Sequence, residues 1–253
     1  LPFVEQTALY EQYNRSLNWF DQRNYPATTT VVSTFTCPSA PQSRASVPQA
    51  ISSVRNPNIW FGQAVSFGPS DYPAINNIRR AAWVSNGGEM PGVIQRQLPG
   101  ALFPKQPLLG VKFNEILDGL SNTICIVEDA GRPELWISGR QGQNPRNPGR
   151  PHHMTGFVEE GYGWADLQDS FSLDGSNAAG VPNATASGAP HNTTIVGNCM
   201  INCSNDGEVY SFHTGGAHSL RCDGSVQFMS QQMDGLLLVR LCTKDQREVI
   251  EEK

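Results

Sequence analysis

The run Glu208-Val209-Tyr210-Ser211-Phe212-His213-Thr214-Gly215-Gly216-Ala217-His218-Ser219-Leu220-Arg221-Cys222-Asp223-Gly224-Ser225-Val226-Gln227-Phe228-Met229-Ser230 decides how this chain folds. A short β-rich run from Val209 to Phe212 ends at His213. Gly215-Gly216 then allows a turn where a Cβ would clash. Asp223-Gly224 lies between two runs of strand-like composition, a strong hairpin signal because a type I′ turn needs φ > 0 at both central residues. A strict two-residue turn would pair Arg221 with Val226 and Leu220 with Gln227. That mixes polar and apolar side chains on each face. Either the loop is longer than two residues or both faces are partly covered.

Working outward, the 253 residues suffice for one large or two small domains. Hydrophobic residues make up 38%, enough for a core, while charged residues reach only 16%. The 24 glycines and 18 prolines predict many turns and long connections. A net charge of -5 and the lack of any Lys/Arg run argue against nucleic acid as a partner. The longest apolar run, Leu236-Leu237-Leu238-Val239, is broken by Arg240 and is far too short for a membrane span. The six cysteines, Cys37, Cys125, Cys199, Cys203, Cys222 and Cys242, suggest an oxidising compartment. They allow three disulfides in any of fifteen pairings, and buried free thiols are the alternative.

Taken in order, residues 1–20 carry a helical pattern opened by Pro2, with Val4, Ala8, Leu9 and Tyr13 near one face. Thr29 to Thr36 is a β-branched strand candidate. Residues 38–107 read as an irregular insertion packed on the main sheet, with buried strand material at Ile59-Trp60-Phe61. Phe113 to Leu117 is a short helix candidate. Thr123 to Glu128 is the clearest buried strand, Glu134 to Ile137 another, and Tyr162 to Ala165 a third. Residues 166–198, mostly Gly, Ala, Ser, Asn and Asp, read as a long surface loop. The hairpin of residues 208–230 follows, then a helix with Met233, Leu237 and Leu241 at i, i+4, i+8. A helix followed by a largely antiparallel sheet with long loops and a short C-terminal helix is an α+β fold in a single domain, 1–253.

Several residues invite chemistry. His213 and Asp223 fit an acid–base pair, but no nucleophile motif accompanies them, and turn chemistry alone accounts for Asp223. The structural role is favoured, with no catalytic residue assigned. Cys199, Cys203 and Cys222 with His213 and His218 have the elements for zinc, but the second closely spaced pair of a structural site is missing, so disulfides read better. Asp166, Asp169 and Asp174, with Asn177, offer hard oxygen donors suited to calcium, without the EF-hand order; Asx-turns are the competing reading. Asn14, Asn183, Asn192 and Asn202 head Asn-x-Ser/Thr glycosylation triplets. Asn183 and Asn192 fall in the polar loop, whereas Asn14 on a helix and Asn202 beside Cys203 are less accessible.

His213, nine residues and Asp223-Gly224 together resemble the H-x9-DG signature of the planctomycete pilin-like proteins with a DUF1559 domain. Asp118-Gly119-Leu120-Ser121-Asn122-Thr123 resembles that family's DGxSNT turn, and Phe35-Thr36-Cys37-Pro38-Ser39 a third landmark. Gly215, Gly216, Asp118 and Gly119 are then motif residues of structural importance. The resemblance implies a pilin-like head with its N-terminal helix packed on the sheet. Family members carry a hydrophobic, prepilin-type helix ahead of the region corresponding to Leu1; processing and truncation are both open as reasons for a start at Leu1. The expected function is an extracellular, cell-surface structural subunit of a pilus-like or other helical filament. Its partners are copies of itself, and it requires no established cofactor. Residues 1–20, with Trp19 and Phe20 as anchors, are expected beside the subunit contact. The alternative is an extracellular solute- or glycan-binding module with Trp60, Trp83, Trp136 or Trp164 as stacking platforms. An enzyme built on His213 and Asp223 ranks last.

Overall fold

The apolar run Ile124-Cys125-Ile126-Val127 forms a strand that gives Ile124 and Val127 to the largest apolar cluster, and separate clusters form around Leu9, Trp19 and Cys37. The computed structural model describes residues 1–42, 66–88, 97–102, 111–142, 162–166, 169, 171–173, 175–180 and 197–247, and the backbone of 50–53 and 56–60. Among these, in chain order, stand α1 (Thr7–Gln12), α2 (Tyr25–Thr28), β1 (Ala50–Ser53), β2 (Asn56–Trp60), β3 (Ile75–Arg79), α3 (Arg80–Ser85) and β4 (Gln97–Pro99). They are followed by β5 (Ile124–Val127), β6 (Trp136–Ile137), β7 (Arg140–Gln141), β8 (Phe171–Leu173), β9 (Gly216–Arg221), β10 (Val226–Ser230) and α4 (Gly235–Cys242). The fold is mixed α+β and ends its regular structure in a short helix.

Two three-stranded sheets, β10-β9-β5 and β4-β3-β8, meet where Ala74 bridges Ile126. Among the described residues the pairings between named strands are antiparallel except β3 with β8, and isolated parallel bridges join Asp129 to Tyr210 and Ile201 to Val209. Ile75, Ile78, Ile124, Val127, Leu173, Ala217 and Met229 bury their side chains between the sheets and α4. The α4 helix starts where Asp234 accepts the Leu237 amide at 2.9 Å, an N-cap bond. It turns Leu238, Val239, Leu241 and Cys242 inward. Leu241 of the sequence stripe is buried, and Met233 and Leu237 pack at the margin.

Several expectations are corrected. The N-terminal pattern yields only a 3-10 turn (Pro2–Val4) and α1, because the buried Asn24 side chain gathers the chain beyond it. Asn24 accepts the Asn14 amide and donates to the Asn14 and Asn18 carbonyls. Leu9 of α1 packs on Ala27 and Val32. Trp19 is buried in its own chain, edge-on to Phe67 with ring centroids 4.9 Å apart, and Phe20 packs beside it. Trp19 is therefore covered within its own chain, while Phe20 stays half-buried.

Thr29 to Thr36 is not a strand. The Thr28, Thr29 and Thr30 hydroxyls donate back to the carbonyls four residues earlier, and a 3-10 turn follows at Ser33–Phe35. Local side-chain bonds win over β-propensity there. Phe113–Glu115 is likewise a single 3-10 turn. Tyr162 to Ala165 contributes one bridge, Gly163 to Pro69. Residues 38–107 supply β3 and α3 with the buried Ile75, Ile78 and Trp83, and so form part of the core rather than an addition to it. Within 166–198, Phe171–Leu173 is β8, drawn inward by the fully buried Leu173.

The hairpin resolves the pairing conflict in favour of a longer loop. Leu220 faces Val226, Ser219 faces Gln227, His218 faces Phe228 and Ala217 faces Met229. Arg221 exchanges a bond with Ser225 (amide to carbonyl, 2.9 Å), and the Gly224 amide donates to the Arg221 carbonyl at 3.0 Å. Cys222-Asp223-Gly224 is thus a three-residue loop, with Gly224 at φ +88° as the left-handed residue closing it. Asp223 does not need positive φ, which excludes type I′.

A Cβ at Gly224 would meet nothing within 4 Å, so its substitution tests backbone conformation alone. Gly224→Ala is expected to cost about 1 kcal/mol, the penalty of an L-residue in the left-handed region, measured by chemical denaturation. An unchanged midpoint would contradict the assigned turn.

Candidate functional site

Glu128 follows β5 and is the last residue of an otherwise apolar run. Its amide donates to the His218 carbonyl, and its own carbonyl accepts the Tyr210 amide. These bonds fix the backbone and turn the carboxylate to the outer side of the sheet, where it is nevertheless only 2% exposed. Oε2 accepts the His218 amide at 2.6 Å and lies 3.3 Å from His218 Nδ1. Oε1 lies 3.2 Å from His213 Nε2 and 3.6 Å from Cys37 Sγ. Cys37 Sγ and His213 Nε2 are 3.6 Å apart.

Three separate segments deliver these groups. Asp71, fully buried, accepts the Cys37 amide at 2.8 Å and the Gly131 amide at 3.0 Å, which fastens the Cys37 loop to the turn after β5. Ser39 Oγ lies 3.4 Å from His213 Nδ1, so both ring nitrogens of His213 have neighbours. The Ser211 hydroxyl accepts the His213 amide at 3.1 Å. Gly216 lets β9 pass β10 closely, since a Cβ there would strike the Met229 carbonyl. Burial pushes the Cys37 thiol up, against the pull of the Ser39 and Ala40 amides. A buried thiol held protonated is a poor nucleophile. Cys37, Glu128 and His213 are a group of three donors, of sulfur, oxygen and nitrogen, within 4.8 Å of one another.

The sequence candidates fall out as follows. His213 belongs to this site, and Asp223 does not. Asp223 accepts from the Ser225 amide and hydroxyl at 2.9 and 2.7 Å, and those bonds hold its carboxyl below the usual range. Asp118 clamps the segment after α4 by accepting the Gln246 and Arg247 amides. Gly119, at φ +95°, starts the 3-10 turn Leu120–Asn122. Cys199 and Cys203 are joined as a disulfide, which removes them from any metal site with Cys222. Cys37, Cys125, Cys222 and Cys242 are free thiols. Asp169 pairs with Arg132 at 3.1 Å, Asp166 is buried, and Asp174 lies outside the described residues, as do Asn183 and Asn192. Asn14 lies beyond α1 and is exposed, contrary to the helical placement. Asn202 uses its amide nitrogen on the Gly216 carbonyl and its oxygen on the Ser211 amide. Trp83 is buried, Trp136 packs edge-on to Phe212, and Trp164 donates to the Thr30 carbonyl. The Trp60 side chain lies outside the described residues.

Sequence reasoning missed Glu128, Asp71 and Asn205. A glutamate closing the run Ile-Cys-Ile-Val was the available signal for the first. Asn205, fully buried, accepts the Trp136 amide and donates to the Ala130 and Glu134 carbonyls.

A second buried cluster sets Asp129 and Asp169 on either side of Arg132, at 3.2 and 3.1 Å. Burial raises the Asp129 carboxyl and pushes Asp169 up to about 7, both against the pull of Arg132. Each binds its proton more tightly folded than unfolded. Between about pH 4, the ordinary carboxylate value, and about 7, the folded chain holds more protons, so this contribution to stability falls as pH rises. Denaturation of the protein and of Asp169→Asn at pH 5 and pH 7.5 should show a smaller loss in the variant. An equal or larger loss in Asp169→Asn would contradict the raised carboxyl.

No curated protein and no solved structure matches the chain. A family model does, over residues 1–236, described as a protein of unknown function (DUF1559). The three landmark segments, Phe35 to Ser39, Asp118 to Thr123 and His213 to Gly224, all lie within the matched span, and the chain belongs to the DUF1559 family.

Proposed function

We propose that this chain is an extracellular, cell-surface structural subunit that acts by self-assembly rather than turnover. The observation that carries the reading is the free edge of β10. β10 ends the order β10-β9-β5, with β9 on one side only among the described residues. The register that bonds Ser225 and Gln231 to β9 points the amides and carbonyls of Val226, Phe228 and Ser230 away from it. The side chains of Val226 and Phe228 are also 65% and 50% exposed. An edge strand with exposed apolar residues is a template for adding a strand from another chain. The Cys199–Cys203 disulfide supports an oxidising setting. No described helix is long and apolar enough to cross a membrane.

The contact is assigned to a second copy because Phe113 and Leu117, 70% and 50% exposed, offer a further apolar surface on the same chain. Two different patches on one subunit give a heterologous contact, and such contacts propagate when the rotation does not close. Phe228→Lys places a charge on the edge without disturbing the inward Met229. Sedimentation and negative-stain imaging should show concentration-dependent oligomers for the unmodified protein and monomers for the variant. A protein that stays monomeric at high concentration would sink the reading.

A further inference from the structure

We propose that Cys37, Glu128 and His213 form a binding site for a thiophilic divalent cation of the zinc type, with one position left for water or a small anion. Zinc binds sulfur at about 2.3 Å, imidazole nitrogen at about 2.0–2.1 Å and carboxylate oxygen at about 2.0–2.2 Å. At the tetrahedral angle those lengths separate sulfur from nitrogen or oxygen by about 3.5–3.7 Å, and nitrogen from oxygen by about 3.3–3.5 Å. The observed triangle is 3.6 Å for Cys37 Sγ to His213 Nε2, 3.6 Å for Cys37 Sγ to Glu128 Oε1, and 3.2 Å for His213 Nε2 to Glu128 Oε1. All three sides fall within about a tenth of an ångström of a tetrahedral face.

The surroundings are those of a held ligand set. Ligating histidines ordinarily engage a partner through the other ring nitrogen, and ligating carboxylates are themselves hydrogen-bonded. Ser39 Oγ lies 3.4 Å from His213 Nδ1, and the His218 amide holds Glu128 Oε2 at 2.6 Å, leaving Oε1 for the cation. The Asp71 carboxylate pins the Cys37 amide at 2.8 Å. A thiolate, an imidazole and one carboxylate oxygen favour zinc over calcium or magnesium, which demand oxygen ligands in larger number. His213 is 29% exposed, so solvent reaches the site. This donor set shares only His213 with the cysteines and histidines that the sequence spacing suggested.

The test uses cobalt(II) as a spectroscopic probe on the whole chain after treatment with a chelator. One cobalt per chain is expected, with a near-ultraviolet thiolate-to-metal band, visible absorption of tetrahedral intensity, and displacement by zinc. Cys37→Ser should lose the near-ultraviolet band, and His213→Gln should lose tight binding. The paired substitution Cys125→Ser/Cys222→Ser, at free thiols in β5 and in the hairpin loop, should leave the spectrum unchanged. Should Cys37→Ser or His213→Gln fail to fold, Ser39→Ala keeps all three donors and should weaken cobalt binding by about tenfold or more. A folded, reduced protein without the thiolate band overturns the proposal. So does a band that survives Cys37→Ser, or an affinity indifferent to Ser39→Ala.

Discussion

The carboxylate of Glu128 is the constraint on which the arrangement of the molecule depends. Removing a charge from water costs several kcal/mol unless partners replace the lost hydration. Here the partners come from three places in the sequence: Cys37 from the N-terminal third, His213 from the approach to the hairpin, and His218 from within β9. None of these segments can move away without leaving a buried charge short of donors. The interaction therefore sets the distance of the Cys37 loop from the sheet, and the His218 ring between Glu128 and Phe228 carries the contact out to the half-exposed edge strand.

Around it the chain relies on single side chains that hold irregular backbone. Asn24 gathers the segment after α1, Asp71 joins the Cys37 loop to Gly131, Asn205 closes the turn from Ala130 to Trp136, and Asp118 grips residues 246 and 247. Short polar side chains are suited to this, since they reach backbone groups without long flexible stems. A chain with many turns needs such bonds because buried peptide groups outside helices and strands have no ladder to satisfy them. Charged residues are sparse overall, yet Asp71, Glu128, Asp129, Arg132 and Glu208 are all buried.

The sequence was most legible where a pattern is local. The C-terminal helix, the apolar run of β5 and the glycine of the hairpin turn each depend on neighbours within a few residues, although α4 buries Leu238, Val239, Leu241 and Cys242 rather than the stripe Met233, Leu237 and Leu241. The three family landmarks were legible as strings, but their separate roles were not. His213 could be called structural from Asp223 being a turn residue, but its partner Glu128 lies 85 positions away and ends an ordinary strand pattern. The threonines after α2 have strand composition and form a helix end, because their hydroxyls reach back one turn. Trp19 and Phe20 looked like surplus apolar surface because Phe67 and Tyr162, which cover them, are distant in sequence. β8 was hidden because it is three residues long within a polar segment, with Leu173 its buried residue.

The nine residues between His213 and Asp223 act as a ruler with a contact at each end. One end is fixed by the His213 ring on Glu128, and the other by the three-residue loop that ends at Gly224. Between them runs β9, whose side chains alternate between two faces, so the count has a parity as well as a length. A one-residue slip of β10 along β9 would turn Met229 outward and Phe228 inward. Lengthening the approach to β9 would carry His213 off Glu128 while His218 stayed in register. The spacing in the signature is thus a measurement of the sheet: how far the chain must travel from a buried acid to the point where it can reverse.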